Sequence, residues 1–296
     1  MPIRPYRPDD ARALAELSRH CARGETDFVL NPYWESEGEL AAEFERFGIS
    51  PEEHLLVADA GNDGQVQGLV GFLRNPGERD AGMFCPIVAQ DERGRGVGGE
   101  LLRAALQLGK KLGLETVTAG IGTRNRGGFS LLTSHGFRPV RQTWLMKCER
   151  RPEVPEGGLA SGLTLEQAAA EDAADILELY LACEFPARHE AAMQSALGDG
   201  RHAHAVARHD GKLVGFVELE THWPERPWVA FVGVVPELRD RGVGSLLVAH
   251  ALARAFDDGA RSGQLMLSPA NRSALRTYEK VGFKRFRLVD VLERRV

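Results

Sequence analysis

Arg93-Gly94-Arg95-Gly96-Val97-Gly98 recurs as Arg239-Asp240-Arg241-Gly242-Val243-Gly244, 239 − 93 = 146 residues later. Each copy follows an apolar run of strand type, residues 83–88 and 228–235, and opens an apolar run of helix type. Two further pairs keep the same order. Asn125 with Gly136-Phe137 reappears as Asn271 with Gly282-Phe283 at the same offset. Leu69-Val70-Gly71-Phe72 reappears as Leu213-Val214-Gly215-Phe216, at 213 − 69 = 144. Three ordered matches at nearly one offset mark a duplicated module.

A strand, a glycine-rich loop and a helix start together make an anion site. Glycines let backbone N–H groups approach a ligand closely, and the helix N-terminus adds partial positive charge. Arginines supply delocalised cations suited to phosphate oxygens. The expected ligand therefore carries a phosphate or pyrophosphate. A dinucleotide fingerprint is a competing reading, since Gly94, Gly96 and Gly99 formally spell G-x-G-x-x-G with Glu115 downstream. The second copy has Leu247 at the third glycine, and Glu115 precedes rather than ends its expected strand at 116–119. A Walker-type loop is excluded because no Gly-Lys-Ser/Thr follows.

At 296 residues the chain suits two domains of about 150. Hydrophobic residues at 43% and charged residues at 27% are those of a soluble globular protein. A net charge of −5 argues against a nucleic-acid-binding surface. No apolar stretch follows Met1-Pro2-Ile3-Arg4 and no run has the length of a membrane span. Cys21, Cys85, Cys148 and Cys183 form neither a C-x-x-C pair nor a metal-like cluster, so reduced thiols, no metal and a cytoplasmic location are expected.

The segment Arg150-Arg151-Pro152-Glu153-Val154-Pro155-Glu156-Gly157-Gly158 has the composition of a solvated linker. Modules over 1–150 and 163–296 with a linker at 151–162 follow. Each half reads as a short strand, a helix from about Asp10 or Asp172 with acidic N-terminal caps, and a second helix at 36–47 or 189–197. Strands are expected at 54–59 with 67–73 and at 204–207 with 212–220, then the strand before the loop. The helix after it (98–112; 244–256), a strand, a short helix and two closing strands complete the module. The fold class is α/β (α+β): two tandem modules, each a mixed β-sheet flanked by helices.

These residues resemble the GNAT superfamily of acyl-CoA-dependent N-acyltransferases. The family loop Q/R-x-x-G-x-G/A is matched by Arg93-x-x-Gly96-x-Gly98 and by Arg239-x-x-Gly242-x-Gly244. The family segment N-x-x-A-x-x-x-Y-x-x-x-G-F is matched by Asn271, Ala274, Tyr278, Gly282 and Phe283. The resemblance covers nearly the whole chain as a tandem pair, and mycothiol synthases are one family with this layout and asymmetry. It implies that acetyl-CoA is bound by Arg239, Asp240, Arg241, Gly242, Val243, Gly244 and Ser245 at the pyrophosphate. Gly233, Val234 and Val235 would pair with the pantetheine arm, one N–H polarising the thioester carbonyl. Asn271 would bond that arm or nearby backbone, and Tyr278 would protonate the departing thiolate. The first-module counterparts are Ile87, Val88 and Ala89 with Arg93, Gly94, Arg95, Gly96, Val97, Gly98 and Gly99.

The copies differ at the chemistry. Position 278 − 146 = 132 is Leu132, which has no proton to give, so the C-terminal module is expected to be active and the N-terminal one degenerate. Glu218 and Glu220 alternate onto one strand face, and Glu218 has Arg74 as its counterpart (218 − 144 = 74). Glu218 is the candidate base for a small-molecule primary amine, set against a plain solvated strand face, and His222 is a second candidate. The aromatic run from Thr221 to Trp228 either lines the acceptor cleft or closes a hairpin. His202, His204 and His209 read as surface residues. Two functions stay open: a tandem N-acetyltransferase, mycothiol-synthase-type acetylation of a thiol precursor included, and a non-catalytic acyl-CoA-binding scaffold.

Overall fold

The computed structural model describes residues 2–59, 66–154, 162–186, 188–200 and 202–296, so most of the expected linker lies outside the described residues. The first half runs β1 (Ile3–Pro5), α1 (Ala11–Arg23), α2 (Glu37–Phe47), α3 (Pro51–His54), β2 (Leu55–Asp59), β3 (Val66–Leu73) and β4 (Asp80–Val88). It continues with α4 (Val97–Lys111), β5 (Thr116–Gly122), α5 (Arg126–Ser134) and β6 (Arg138–Cys148). The second half repeats the order: β7 (Leu163–Gln167), α6 (Ala173–Ala182), α7 (Glu190–Gly198), β8 (His202–His209), β9 (Lys212–Glu220) and β10 (Trp228–Val234). Then come α8 (Val243–Asp257), β11 (Gly263–Leu267), α9 (Arg272–Val281) and β12 (Lys284–Arg295).

Local chemistry accounts for many of these boundaries. Ser36 accepts the Glu39 N–H at the start of α2, and Gly48 in the left-handed region ends it. Asn125 and Asn271 cap α5 and α9 through the N–H groups of Gly128 and Ala274. The acids expected to cap the first helix of each half do occupy its N-cap position, but their carboxylates bond one turn back and not to the helix N–H groups. Asp10 accepts the Arg7 N–H at 2.7 Å and pairs with Arg4. Asp172 accepts the Ala169 N–H at 2.9 Å and pairs with Arg208. Both brace the entry turn instead of the α-helix itself.

The chain forms two compact units, Met1–Thr143 with Arg287–Val296, and Trp144–Phe286. In the first, β1 to β4 are antiparallel in sequence order, β4 pairs in parallel with β5, and β12 pairs antiparallel with β5 from Val289↔Gly122 to Arg295↔Thr116. In the second, β7 to β10 are antiparallel, β10 pairs in parallel with β11, and the Trp144–Cys148 end of β6 pairs with β11. The strand that closes each unit is thus the last strand of the other half. Each half also has one long closing strand where two were expected, because 138–148 and 284–295 contain no glycine to turn the chain. The compact units therefore divide at 143 and 286.

Within the second unit, α8 covers one sheet face over Ala205, Val217 and Leu219, while α6 and α7 cover the other over Val206 and Phe216. The repeated glycine of the Leu-Val-Gly-Phe pairs allows a close backbone approach. A methyl on Gly71 would stand 2.4 Å from the His54 carbonyl oxygen.

Candidate functional site

The two loops have the same backbone. Gly96 and Gly242, at φ +87° and +89°, place left-handed turns directly before α4 and α8. Gly94 is left-handed too, and its counterpart Asp240 reaches φ +58° despite its side chain. The helix N–H groups therefore point into the space beside the loop. The leading arginines behave differently from the expectation that they meet phosphate. Arg93 Nε donates to the Val88 carbonyl at 2.9 Å and Arg239 Nε to the Val234 carbonyl at 3.0 Å. Their Nη2 atoms approach Cys21 Sγ and Cys183 Sγ at 3.9 and 3.8 Å. Each guanidinium satisfies the last carbonyl of the strand and staples the loop back to it. Arg95 pairs with Glu92 at 3.1 Å, whereas Arg241 has no side-chain partner among the described residues.

Beside the second loop runs a groove of about 530 Å³ lined by Cys183, Phe185, Val234, Gly244, Asn271 and Tyr278, among others. A β-bulge between Val229 and Phe231 bends β10, and its ladder with β11 is the single pair Trp228↔Gln264. Beyond Trp228 the β10 edge facing β11 is open. Val235 N–H donates to the Val214 carbonyl on the other side, so alternation turns the Val234 N–H toward the open edge. A methyl on Gly244 would sit 3.7 Å from Val234 and 3.8 Å from Thr277, inside the groove.

In the first unit the matching groove, about 430 Å³, keeps the loop, Asn125 and Val88. Its strand edges are not open. Residues 28–31 enter the cleft between β4 and β5: Cys85 N–H donates to the Asn31 carbonyl (2.9 Å), Leu30 N–H to Gly120 (2.8 Å), and Gly122 N–H to Phe28 (3.0 Å). Phe28, Val29 and Trp34 are buried, with Trp34 against Phe44 and Phe84. Asn125 Nδ2 is also spent on the Phe28 carbonyl at 3.3 Å. In the second unit the segment after α6 bonds back onto its own helix, the N–H groups of Cys183, Glu184 and Phe185 meeting Leu179, Leu181 and Tyr180 carbonyls. Asn271 Oδ1 holds the Ala274 N–H at 3.0 Å, and its Nδ2 has no partner among the described residues.

Tyr278 lies on α9 with its ring 5.6 Å from Phe283, and burial pushes its phenol up to about 12. It therefore keeps its proton across the working range of an enzyme. Its counterpart Leu132 is a buried core residue.

Glu218 is fully buried and does not line the groove directly. It pairs across the sheet with Phe231, next to the open edge. Arg188 Nη1 meets its two oxygens at 3.0 and 2.9 Å, and His202 Nδ1 lies 3.1 Å away. Burial alone would raise this carboxyl. The hydrogen bond with His202, the His204 imidazole at 3.7 Å and the Arg188 charge outweigh it and hold the group well below the usual carboxylate range. Arg188 also lies 5.1 Å over the rings of both Tyr180 and Phe231. The Tyr180 hydroxyl is buried with no hydrogen-bond partner among the described residues.

His202 and His204 are not surface residues. Their two-residue spacing puts both on the face under α6 and α7, His204 buried at 4% exposure and His202 partly buried, as is His209. The run from Thr221 to Trp228 closes the β9–β10 hairpin, where Arg226 lies 4.9 Å over Trp223, and neither His222 nor Trp223 lines the groove. Sequence reasoning missed Arg188, Cys183 and the 28–31 plug. The isolated Arg188 before α7 gave no periodic or motif signal. Among the described residues no group of three or more metal-type side chains could hold an ion, and no helix is long and apolar enough to cross a membrane.

Comparison with known proteins agrees with this geometry. The description "Acetyltransferase (GNAT) family" matches residues 14–137 and 171–283. The mycothiol acetyltransferase of Thermobispora bispora is 30% identical over 307 residues, covering 97% of each chain. That of Streptomyces coelicolor is 26% identical, covering 95% of this chain and 94% of its own. A GCN5-related N-acetyltransferase from Sphaerobacter thermophilus superposes with a TM-score of 0.78 at 21% identity, covering 99% of this chain and 95% of its own. A tandem GNAT protein from the clavulanic acid biosynthesis pathway gives 0.73 at 18%, covering 99% and 98%. The chain belongs to the GNAT acetyltransferase family and consists of two tandem GNAT modules. It is an acyltransferase, and the family's acetyl donor is acetyl-CoA.

Proposed function

We propose that the second module transfers the acetyl group of acetyl-CoA to a primary amine of a small molecule by direct attack, while the first module does no chemistry. One contrast carries this reading: an open β10 edge beside Tyr278 in the second groove, against a plugged edge beside Leu132 in the first. Backbone N–H groups from Arg239 to Ser245, at the start of α8, hold the pyrophosphate. The pantetheine arm adds as a strand along Gly233, Val234 and Val235, anchored by Asn271 Nδ2, and the Val234 N–H polarises the thioester carbonyl. The neutral amine attacks, the C–S bond breaks, and the Tyr278 hydroxyl supplies the hydrogen bond and proton that stabilise the leaving thiolate. In the first module Ile87, Val88 and Ala89 with Arg93 to Gly99 keep the donor groove without an acceptor cleft.

Glu218 stands at the acceptor side. With both oxygens engaged by Arg188 and His202 beside them it is too weak a base to retain a proton, so it takes the amine's proton through water in passing and releases it to solvent. The four cysteines are unpaired, which suits a reducing cytoplasm. The names of the relatives favour a mycothiol-type thiol precursor as a second reading of the acceptor.

Thiol release from acetyl-CoA, measured over a panel of amines, amino acids, aminoglycosides and amine-bearing thiol precursors, tests the reaction class. Primary amines should release thiol and gain an acetyl group. For any hit, Glu218→Gln should lower kcat/KM about 100-fold near neutrality and recover at alkaline pH, where more of the amine is already neutral. A loss that does not change with pH would remove Glu218 from proton transfer, and acetylation confined to hydroxyl acceptors would overturn the amine assignment.

A further inference from the structure

We propose that the second module carries a dedicated site for the 3′-phosphate of coenzyme A, formed by Arg276 and Lys280 of α9 with Arg241 of the loop, and that the first module lacks one. The inference rests on the acyl-CoA reading above. Arg272, Arg276 and Lys280 follow at four-residue intervals, which places them on one face of α9 with Arg276 and Lys280 about 6 Å apart along the axis. Arg276 and Lys280 line the same groove as the loop. Lys280 and Arg241 also line an adjoining recess of about 410 Å³ that shares Gly242 and Ser245 with it. Three exposed cations therefore surround the N-terminus of α8.

None of Arg241, Arg276 and Lys280 has a hydrogen-bond or ion-pair partner among the described residues. Like charges four apart on a helix repel, so the stripe opposes helix stability until an anion meets it. The acids nearby do not neutralise it. Asp240 lines the groove and accepts the Ser273 hydroxyl at 3.2 Å, Glu153 borders the recess shared by Arg241 and Lys280, and among the described residues neither forms an ion pair with the three cations. Glu279 is taken by Arg285.

The first module is the internal control. Its counterparts are Arg95 (241 − 146), Ser130 (276 − 146) and Ser134 (280 − 146). Arg95 is paired with Glu92, and Ser134 donates to the Leu131 carbonyl. The two loops serve a pyrophosphate equally well through their N–H groups, so pyrophosphate binding does not explain cations one and two turns into α9 of the second module alone. Coenzyme A carries one further anionic group, a phosphomonoester with a charge of about −1.5 to −2 near neutrality. Its ribose hangs from the pyrophosphate, which brings that group to the loop side of the groove.

Calorimetric titration with coenzyme A and with 3′-dephospho-coenzyme A reads this directly. In the wild-type chain the second-module site should bind coenzyme A about tenfold or more tighter than the dephospho form. Arg276→Ser with Lys280→Ser, the first module's own residues at surface positions, should erase that preference while leaving affinity for the dephospho form unchanged. Equal affinities in the wild type, or a preference that survives the double substitution, would overturn the proposal. Absence of binding by either ligand at the second module would overturn the acyl-CoA reading and this site with it.

Discussion

Tyr278→Phe is expected to lower kcat by about 10²–10⁴-fold with little change in KM for acetyl-CoA. The substitution keeps the ring against Phe283 and removes only the hydroxyl of this groove-lining residue. With its phenol raised to about 12, Tyr278 stays protonated throughout, so the wild-type rate should show no loss from its ionisation up to about pH 11. The converse change adds a control. Leu132→Tyr should create no activity in the first module, because residues 28–31 already bond both edges of the cleft where an acceptor would lie. Full activity of Tyr278→Phe in steady-state assays of thiol release would remove Tyr278 from the mechanism.

Deleting Arg287–Val296 should unfold the first unit although every other residue of that unit lies before Trp144. The deletion strips β12 from β5 and removes Val289, Val291 and Leu292, exposed by 0%, 6% and 0%. Burial of three such side chains is worth about 5–9 kcal/mol, comparable with the whole stability of a domain, about 5–15 kcal/mol. A fragment ending at residue 150 lacks the same strand and should fail in the same way. Thermal denaturation followed by circular dichroism checks this. A truncated chain that keeps the wild-type melting profile would show that β12 is dispensable.

What could be read in the residues was local. The strand, loop and helix around Gly96 and Gly242 and the loss of Tyr278's counterpart at Leu132 both follow from short-range chemistry. The exchange of closing strands was not legible. Arg138–Cys148 and Lys284–Arg295 have strand composition, and which edge such a strand joins is settled by distant partners. The same reason hid the 28–31 plug, whose three backbone bonds reach residues 54 to 94 positions away. Arg93 and Arg239 were legible as loop arginines but not in their direction. The unpaired carbonyl of Val88 or Val234 draws each guanidinium back before any phosphate can. Glu218 was legible as a one-face carboxylate, yet its pairing with Arg188 depends on how the segment after α6 folds over the sheet.

The central claim is that acetyl transfer occurs in the second module on acetyl-CoA held by its own loop. The direct test is acetyl-CoA turnover by the wild-type chain, Gly242→Val and Gly96→Val side by side, with circular dichroism to verify folding. Both glycines occupy the left-handed region at nearly the same angle, +89° and +87°, so the two substitutions strain the backbone alike. The account predicts that Gly242→Val abolishes turnover while Gly96→Val retains it. Turnover that survives Gly242→Val and is lost in Gly96→Val would contradict it.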